Sequence, residues 1–387
     1  MKKLVIVTAT RAEYGLLAPI IKKFMNEPDM DIRVAVTGAH LSPEFGMTVK
    51  EIESDGIPID KKIEILMSSD TPVAISKSMG LALISFAEYF EESKPDALML
   101  LGDRYETLAV TCAAMNARIP IIHLYGGEAT EGAIDEAVRN AITKMSFLHF
   151  TSTEEYKHRV IQMGEAPDRV FCVGAMGVEN AKNVKLLSKK ELEKEIGFSL
   201  GDKYAVLTFH PVTLESNTAE RQTNELLQAI IKVPDINFLC TKANADADGR
   251  IINKLIEKYA EEYPNIHLVD SLGAKRYLSA VSHSEFVIGN SSSGIVEVPS
   301  FKIPTINIGD RQLGRIQAES IINCEPQENR IFEAIKKAMS KEFKDRLDNI
   351  KNPYGDGNTS VKILDIIKDF FTNEKIVLKK KFYDIYN

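Results

Sequence analysis

The sequence lacks most of the features by which several functional classes can be recognised. Its apolar runs at 4–9, 97–101 and 119–124 are far shorter than the roughly 20 residues that cross a bilayer. No signal-type apolar stretch follows Lys2 and Lys3, so a cytoplasmic, unprocessed chain with no membrane partner is expected. Cysteine is scarce: Cys112, Cys172, Cys240 and Cys324 are scattered without C-x-x-C spacing. That argues against a zinc site or a disulfide framework and for reduced thiols. Basic stripes are missing too. The net charge is −7, and the short run Lys379–Lys381 reads as a solvated tail, so no nucleic-acid partner is expected. Neither G-x-G-x-x-G nor G-x-x-x-x-G-K-[ST] occurs, nor H-E-x-x-H, nor the D-x-D-x-D-G calcium pattern. No dinucleotide fingerprint, P-loop or metal is therefore supported, and no cofactor is expected. Repeats and low-complexity tracts are absent as well. What remains is ordinary globular composition over 387 residues, more than one hydrophobic core usually serves, so two domains are expected.

What is present is a rhythm of short apolar segments between helix-like stretches. KLVIVTA at 3–9, IRVAVTG at 32–38, ALMLLGD at 97–103, IPIIHL at 119–124 and RVFCVG at 169–174 read as buried strands of a parallel sheet covered on both faces. After the charged helix at 187–197 the pattern restarts with YAVLTFH at 204–210, INFLCT at 237–242, IHLVDS at 266–271, FVIGN at 286–290 and PTINIGD at 304–310. The expected class is α/β, with a second doubly wound sheet. The expected domains are residues 1–182 and 183–360, followed at 361–387 by a C-terminal helix and tail, with the first domain the candidate to receive it and the sequence leaving the choice of domain open.

Ligands of open parallel sheets sit beyond the carboxyl ends of the strands, and here those positions are rich. Thr10–Gly15, Gly102-Asp103-Arg104, Gly126-Gly127-Glu128, His210–Thr213, Gly289–Gly294 and Gly309–Gln312 all follow apolar runs. In the third of these, Glu128, Glu131, Asp135 and Glu136 crowd into nine residues. Helix-entry charge accounts for Asp135 and Glu136 but not for Glu128, which follows two glycines suited to close approach of a ligand. Asp135 and Arg139 are four apart on one helix face. As a surface pair that is worth only ~0.3–0.5 kcal/mol, but near a ligand it would fix a general base. With Asp103 the group has three carboxylates for proton transfer.

GNSSSGIVEVPS at 289–300 ends a strand and opens a short helix, offering Ser291, Ser292, Ser293 and Gly294 to an anion. Helix capping alone is the competing reading. Glu297 is placed for ribose hydroxyls, and Arg311 and Arg315 for phosphate, so the diphosphate of a nucleotide sugar is the favoured anion. Arg11, after the first strand, would face that diphosphate or serve as a surface charge. His210 would donate to a phosphate or a substrate hydroxyl, while His40, His123 and His149 read as structural or supporting.

Taken in order, TATRAEYGLL, VTGAHLSPEFG, LGDRYE, HLYGGEATEGAIDEAVRNAITKM, TSTEEYKHRVIQMGE, FHPVTLE, GNSSSGIVEVPS, INIGDRQLGR and KKFYDIYN make the chain resemble the hydrolysing UDP-N-acetylglucosamine 2-epimerases of bacterial sialic and legionaminic acid synthesis, nearly end to end. The resemblance implies the GT-B fold, two Rossmann-like domains with a cleft between them that closes on the nucleotide. It also implies a UDP-sugar substrate and a homodimer or homotetramer. The family reaction is anti elimination of UDP to 2-acetamidoglucal, then water addition giving N-acetylmannosamine. Carried across by motif, Asp103, Glu128 and Asp135 would be the acid/base carboxylates, with Arg139 orienting Asp135 and His210 assisting the leaving group. Arg11, Ser291, Ser292, Glu297 and Arg311 would hold the nucleotide. Tyr125, Asn140 and Phe147 depart from the family's usual residues, and Gly15-Leu16 replaces the Ser-Lys of some members. A similar branch acts on UDP-N,N'-diacetylbacillosamine, a 6-deoxy sugar. A GT-B glycosyltransferase and a non-catalytic UDP-sugar sensor are the readings of other classes.

Overall fold

The computed structural model describes residues 1–69, 71–129, 134–212, 218–243, 249–373 and 378–385. They divide into two compact units. The first comprises the described residues of 1–128, 134–179 and 355–387, and the second those of 180–354 together with Ala129.

The first unit is built on a seven-stranded sheet of β1 (Lys2–Thr8), β2 (Met30–Thr37), β3 (Ile59–Ile63), β4 (Ala97–Leu101), β5 (Ile121–Leu124), β6 (Leu148–Thr151) and β7 (Val170–Cys172). Every pairing is parallel, in the order β3-β2-β1-β4-β5-β6-β7. Helices α1 (Arg11–Phe24), α2 (Val49–Ser54), α3 (Pro72–Ser93), α4 (Tyr105–Asn116), α5 (Ile134–Met145) and α6 (Glu154–Gln162) connect or follow the strands. The two-residue period of a strand sends alternate side chains to opposite faces. Leu4 and Ile6 of β1 join one core with Met99 of β4, whereas Val5 and Val7 join another with Leu98 and Leu100. A sheet packed on both sides has no polar face, which is why these strands read as unbroken apolar runs.

The second unit repeats the plan with six parallel strands. These are β8 (Tyr204–Thr208), β9 (Asn237–Thr241), β10 (Ile266–Val269), β11 (Phe286–Gly289), β12 (Thr305–Ile308) and β13 (Ile321–Cys324), in the order β10-β9-β8-β11-β12-β13. Ala205 and Leu207 face one core, Tyr204 and Val206 the other.

The helix Thr359–Asn373 returns to the first unit, where Ile363, Leu364, Ile367 and Phe370 share a core with Leu17, Ile20, Ile21 and Phe24 of α1. Lys380 then donates to the carbonyls of Lys144 and Ser146 and to Glu165. All four cysteines are free thiols. Among the described residues one helix, α3, is long and apolar enough to cross a bilayer by length and composition, a test that core helices also pass. Its Ala82, Phe86, Tyr89 and Phe90 are core residues.

In each sheet the chain winds outward in both directions from one central pair, β1/β4 in the first and β8/β11 in the second. Connections leave these pairs on opposite faces, opening a crevice at the strands' carboxyl ends.

Candidate active site

At the carboxyl end of β4 stands Asp103, and beyond β5 stands Glu128. Arg139 of α5 joins them. Its Nε donates to Asp103 Oδ2 at 2.9 Å, a second guanidinium nitrogen bonds the same oxygen, and a third donates to the Glu128 carbonyl at 2.6 Å. The Arg139 side chain is 2% exposed and that of Asp103 26%. The pair is therefore sheltered on the cation's side and open on the carboxylate's. The four-residue spacing directs Arg139 to Asp135, and the structure adds as partners Asp103 and, one turn back, Glu136 at 3.6 Å. Asp135 itself is exposed. Local spacing cannot register a partner brought in by an adjacent strand. Glu131 and Thr213 lie outside the described residues.

Glu128 is buried and accepts from the Ser152 hydroxyl at 3.0 Å. Ser152 follows β6 and was not among the expected site residues, because the strand before it does not read as an apolar run. The second glycine before Glu128 has a packing reason of its own. Gly127 has φ +77°, and a Cβ there would lie 2.3 Å from the Tyr156 carbonyl of α6. It is the α6 backbone that requires the glycine, and this contact fixes where Glu128 departs. His123 of β5 is buried, its imidazole pushed down to about 4 chiefly by burial, and so is neutral. Its Nε2 lies 2.9 Å from the Gly102 carbonyl, and Nδ1 lies 3.3 Å from Thr143 Oγ1. The expected supporting role fits: His123 braces the turn that presents Asp103.

At the β1/β4 crevice, Glu13 is buried and accepts from the Ala9 N–H at 2.8 Å. Burial pushes its carboxyl up to about 7. Arg104 donates twice to Glu106, at 3.2 Å each. Arg11 opens α1 and pairs with Glu51 of α2 at 3.1 Å, both side chains nearly half exposed, the surface-charge geometry weighed for it above.

In the second unit His210 follows β8. Burial, and then the nearby Arg311 cation, push its imidazole down to about 4. Asn290, just past β11, accepts from the His210 N–H and donates to the His210 carbonyl, both at 2.8 Å. Arg311 and Gln312 donate to the Asn290 carbonyl at 3.1 and 2.9 Å. His210 and Arg311, both expected, thus meet through Asn290 and Gln312, which lay in the strand-end stretches but were given no role. Ser291 caps the helix Ser292–Val296, accepting from the Ser293 N–H at 3.4 Å. That helix is barely more than a turn long, so hydroxyls and free N–H groups, more than an extended dipole, are what it offers an anion. Gly294 is set by packing, since a Cβ there would meet Thr305 at 2.8 Å. Glu297 follows, its carboxyl raised by burial and opposed by the Ser293 hydroxyl.

Comparison with known proteins places this geometry. Residues 22–368 match the family model of UDP-N-acetylglucosamine 2-epimerase. The chain is 44% identical over 346 residues, 89% of each protein, to the Campylobacter jejuni GDP/UDP-N,N'-diacetylbacillosamine 2-epimerase (hydrolyzing). It is 41% identical to the Escherichia coli polysialic acid biosynthesis protein P7 over 386 residues, 100% of this chain and 98% of that one. Among solved structures, the Neisseria meningitidis UDP-GlcNAc 2-epimerase bound to UDP-GlcNAc superposes with a TM-score of 0.81 at 21% identity, covering 95% of this chain and all of that one. That likeness is one of fold, two Rossmann-like units of the GT-B class. With nearly its whole length matched, the chain belongs to the UDP-N-acetylglucosamine 2-epimerase family.

Proposed function

We propose that the protein is a hydrolysing 2-epimerase of a UDP-linked 2-acetamido sugar, releasing UDP and the free 2-epimer. The observation that carries this reading is the Arg139 cluster, which gathers the carboxyl-bearing ends of β4 and β5 around one buried guanidinium. Arg139 favours the ionised form of Asp103, and Ser152 aims Glu128. Asp103, Glu128 and Asp135 are the carboxylates that take the C2 proton as UDP is eliminated and return one to the opposite face as water adds. Neutral His210 donates to the departing diphosphate, whose charge Arg311 shares. Ser291, Ser292, Ser293, Gly294, Glu297 and Arg11 complete the nucleotide's contacts. In this reading the first unit is the sugar and acid/base side, the second the nucleotide side, and the enzyme works as a homodimer or homotetramer.

For the sugar, relatives at 44% and 34% identity named as diacetylbacillosamine 2-epimerases favour the 6-deoxy diacetamido substrate. A Neisseria meningitidis relative at 28%, named UDP-N-acetylglucosamine 2-epimerase, supports UDP-N-acetylglucosamine as the second reading. The test is to incubate the protein with each UDP-sugar and no acceptor. Release of UDP with a free 2-epimerised sugar from one or both identifies the reaction and the preference. A glycosyltransferase would release no epimer, and a sensor would leave both substrates intact.

A further inference from the structure

We propose that Asn290 is a positioning residue whose side-chain amide sets His210 for catalysis and ties it to the Arg311 loop. The inference rests on the proposed role of His210. The β8–β11 ladder ends at the pair Thr208 and Gly289, and Asn290 N–H still reaches the Thr208 carbonyl at 3.2 Å. Beyond that point Pro211 follows His210 and has no N–H with which to continue a ladder. The Asn290 side chain takes over. Its oxygen accepts from the His210 N–H and its nitrogen donates to the His210 carbonyl, so one amide occupies both backbone groups as a neighbouring strand residue would. The main chain of the same residue accepts from Arg311 and Gln312. The ends of β8, β11 and β12 therefore converge on a residue that is 1% exposed.

This geometry needs an acceptor and a donor on one short side chain, which narrows the choice to asparagine. Aspartate keeps the acceptor but sets a second oxygen against the His210 carbonyl, and alanine keeps neither partner. Glutamine adds a methylene at a position that is 1% exposed. The role inferred for Asn290 is one of positioning. It acts through the direction in which the backbone presents His210, and a misplacement of about 1 Å in such a group costs on the order of 10²-fold in rate.

The test is a double-mutant cycle. Asn290→Asp, His210→Ala and the double variant are assayed for UDP release at saturating substrate, with thermal unfolding measured for each. Asn290→Asp is expected to lower kcat by about 10–100-fold in the native background and by less than about twofold where His210 is already alanine, with the same fall in Tm in both. Should Asn290→Asp fail to fold, Asn290→Ala carries the same cycle. Equal losses of kcat in both backgrounds, or native kcat in a folded Asn290 variant, overturn the inference and leave the role of His210 standing. Native kcat in His210→Ala alone would remove that role, and this inference with it.

Discussion

Asp103 and Glu128 are held by different means, and the difference predicts how each responds to substitution. Asp103 has a charged partner that is buried on its own account, whereas Glu128 has a neutral hydroxyl and a backbone carbonyl tied to the same arginine. Glu128→Gln preserves shape and removes the titratable carboxyl, so turnover is expected to fall by ~10²–10⁴. UDP affinity, measured by calorimetry, should stay within a few-fold. Near-native turnover would remove Glu128 from the chemistry. Ser152→Ala should lower kcat less, by about tenfold, with little change in UDP binding. None of this pairing is local in sequence: the i,i+4 spacing offers Arg139 only Asp135, and the ion pair with Asp103 exists because β4 and β5 are neighbours. Titration belongs to this scale as well. His40, His123 and His210 are all pushed down to about 4 by burial, from an ordinary 6.5. Between those values the unfolded chain binds more protons than the native one, so their contribution to stability is present above pH 6.5 and lost as pH falls towards 4. Glu13, raised to about 7 from 4.5, works oppositely and gives up its contribution as pH rises through 7. His149 and His267 are also lowered by burial and Glu297 is raised by it, so five lowered imidazoles outweigh two raised carboxyls below pH 6.5. Tm should therefore climb between pH 4.5 and 6.5, and the slope should lessen in His123→Gln.

The legibility of each element followed its burial. β1, β4 and β8 lie between two cores, so each is an apolar run that can be read directly. β3 was missed because it is an edge strand, and the middle of IDKKI is exposed. β6 was missed because its four buried residues include His149, whose bond to Glu165 at 3.1 Å satisfies a polarity that sequence alone reads as surface. β13, also at an edge, carries an exposed Asn323. The turn after β5 was read as suited to glycine, and the structure supplies a reason the sequence did not show, the α6 backbone. Gly127→Ala must place a methyl against the Tyr156 carbonyl at a φ that L-residues avoid. The substitution should lower Tm by several degrees and reduce kcat together, since Glu128 moves with the turn. A stability loss without loss of kcat would uncouple the turn from the site. The C-terminal helix offers a separate check. Ile367 is fully buried against α1, and Ile367→Ala should cost about 2–5 kcal/mol in urea unfolding while folded protein keeps its turnover.

At the scale of the molecule, two sheets of the same plan each present a central crevice. The carboxylates proposed for acid/base work collect in the first unit, and the histidine and arginine proposed for the nucleotide in the second. The doubly wound class was legible because apolar runs and their spacing carry it. Asn290 and Ser152 were not, since their importance lies in what they hold and not in their own chemistry. The chemistry proposed for the whole makes a prediction that binding data cannot imitate. Inversion at C2 by these side chains alone means that hydrogen leaves that carbon as a proton, which is feasible only when UDP departs from C1 in the same elimination. The proton returned to the opposite face must then come from solvent, or from a carboxyl in exchange with it. Turnover in heavy water, with no added cofactor, is expected to place one deuterium at C2 of the released sugar, with UDP formed in equal amount. Mass spectrometry and proton NMR of the product read both quantities. A product that keeps its original C2 hydrogen would mean transient oxidation and return of a hydride. That result would overturn the elimination mechanism even where the epimer and UDP are the products found.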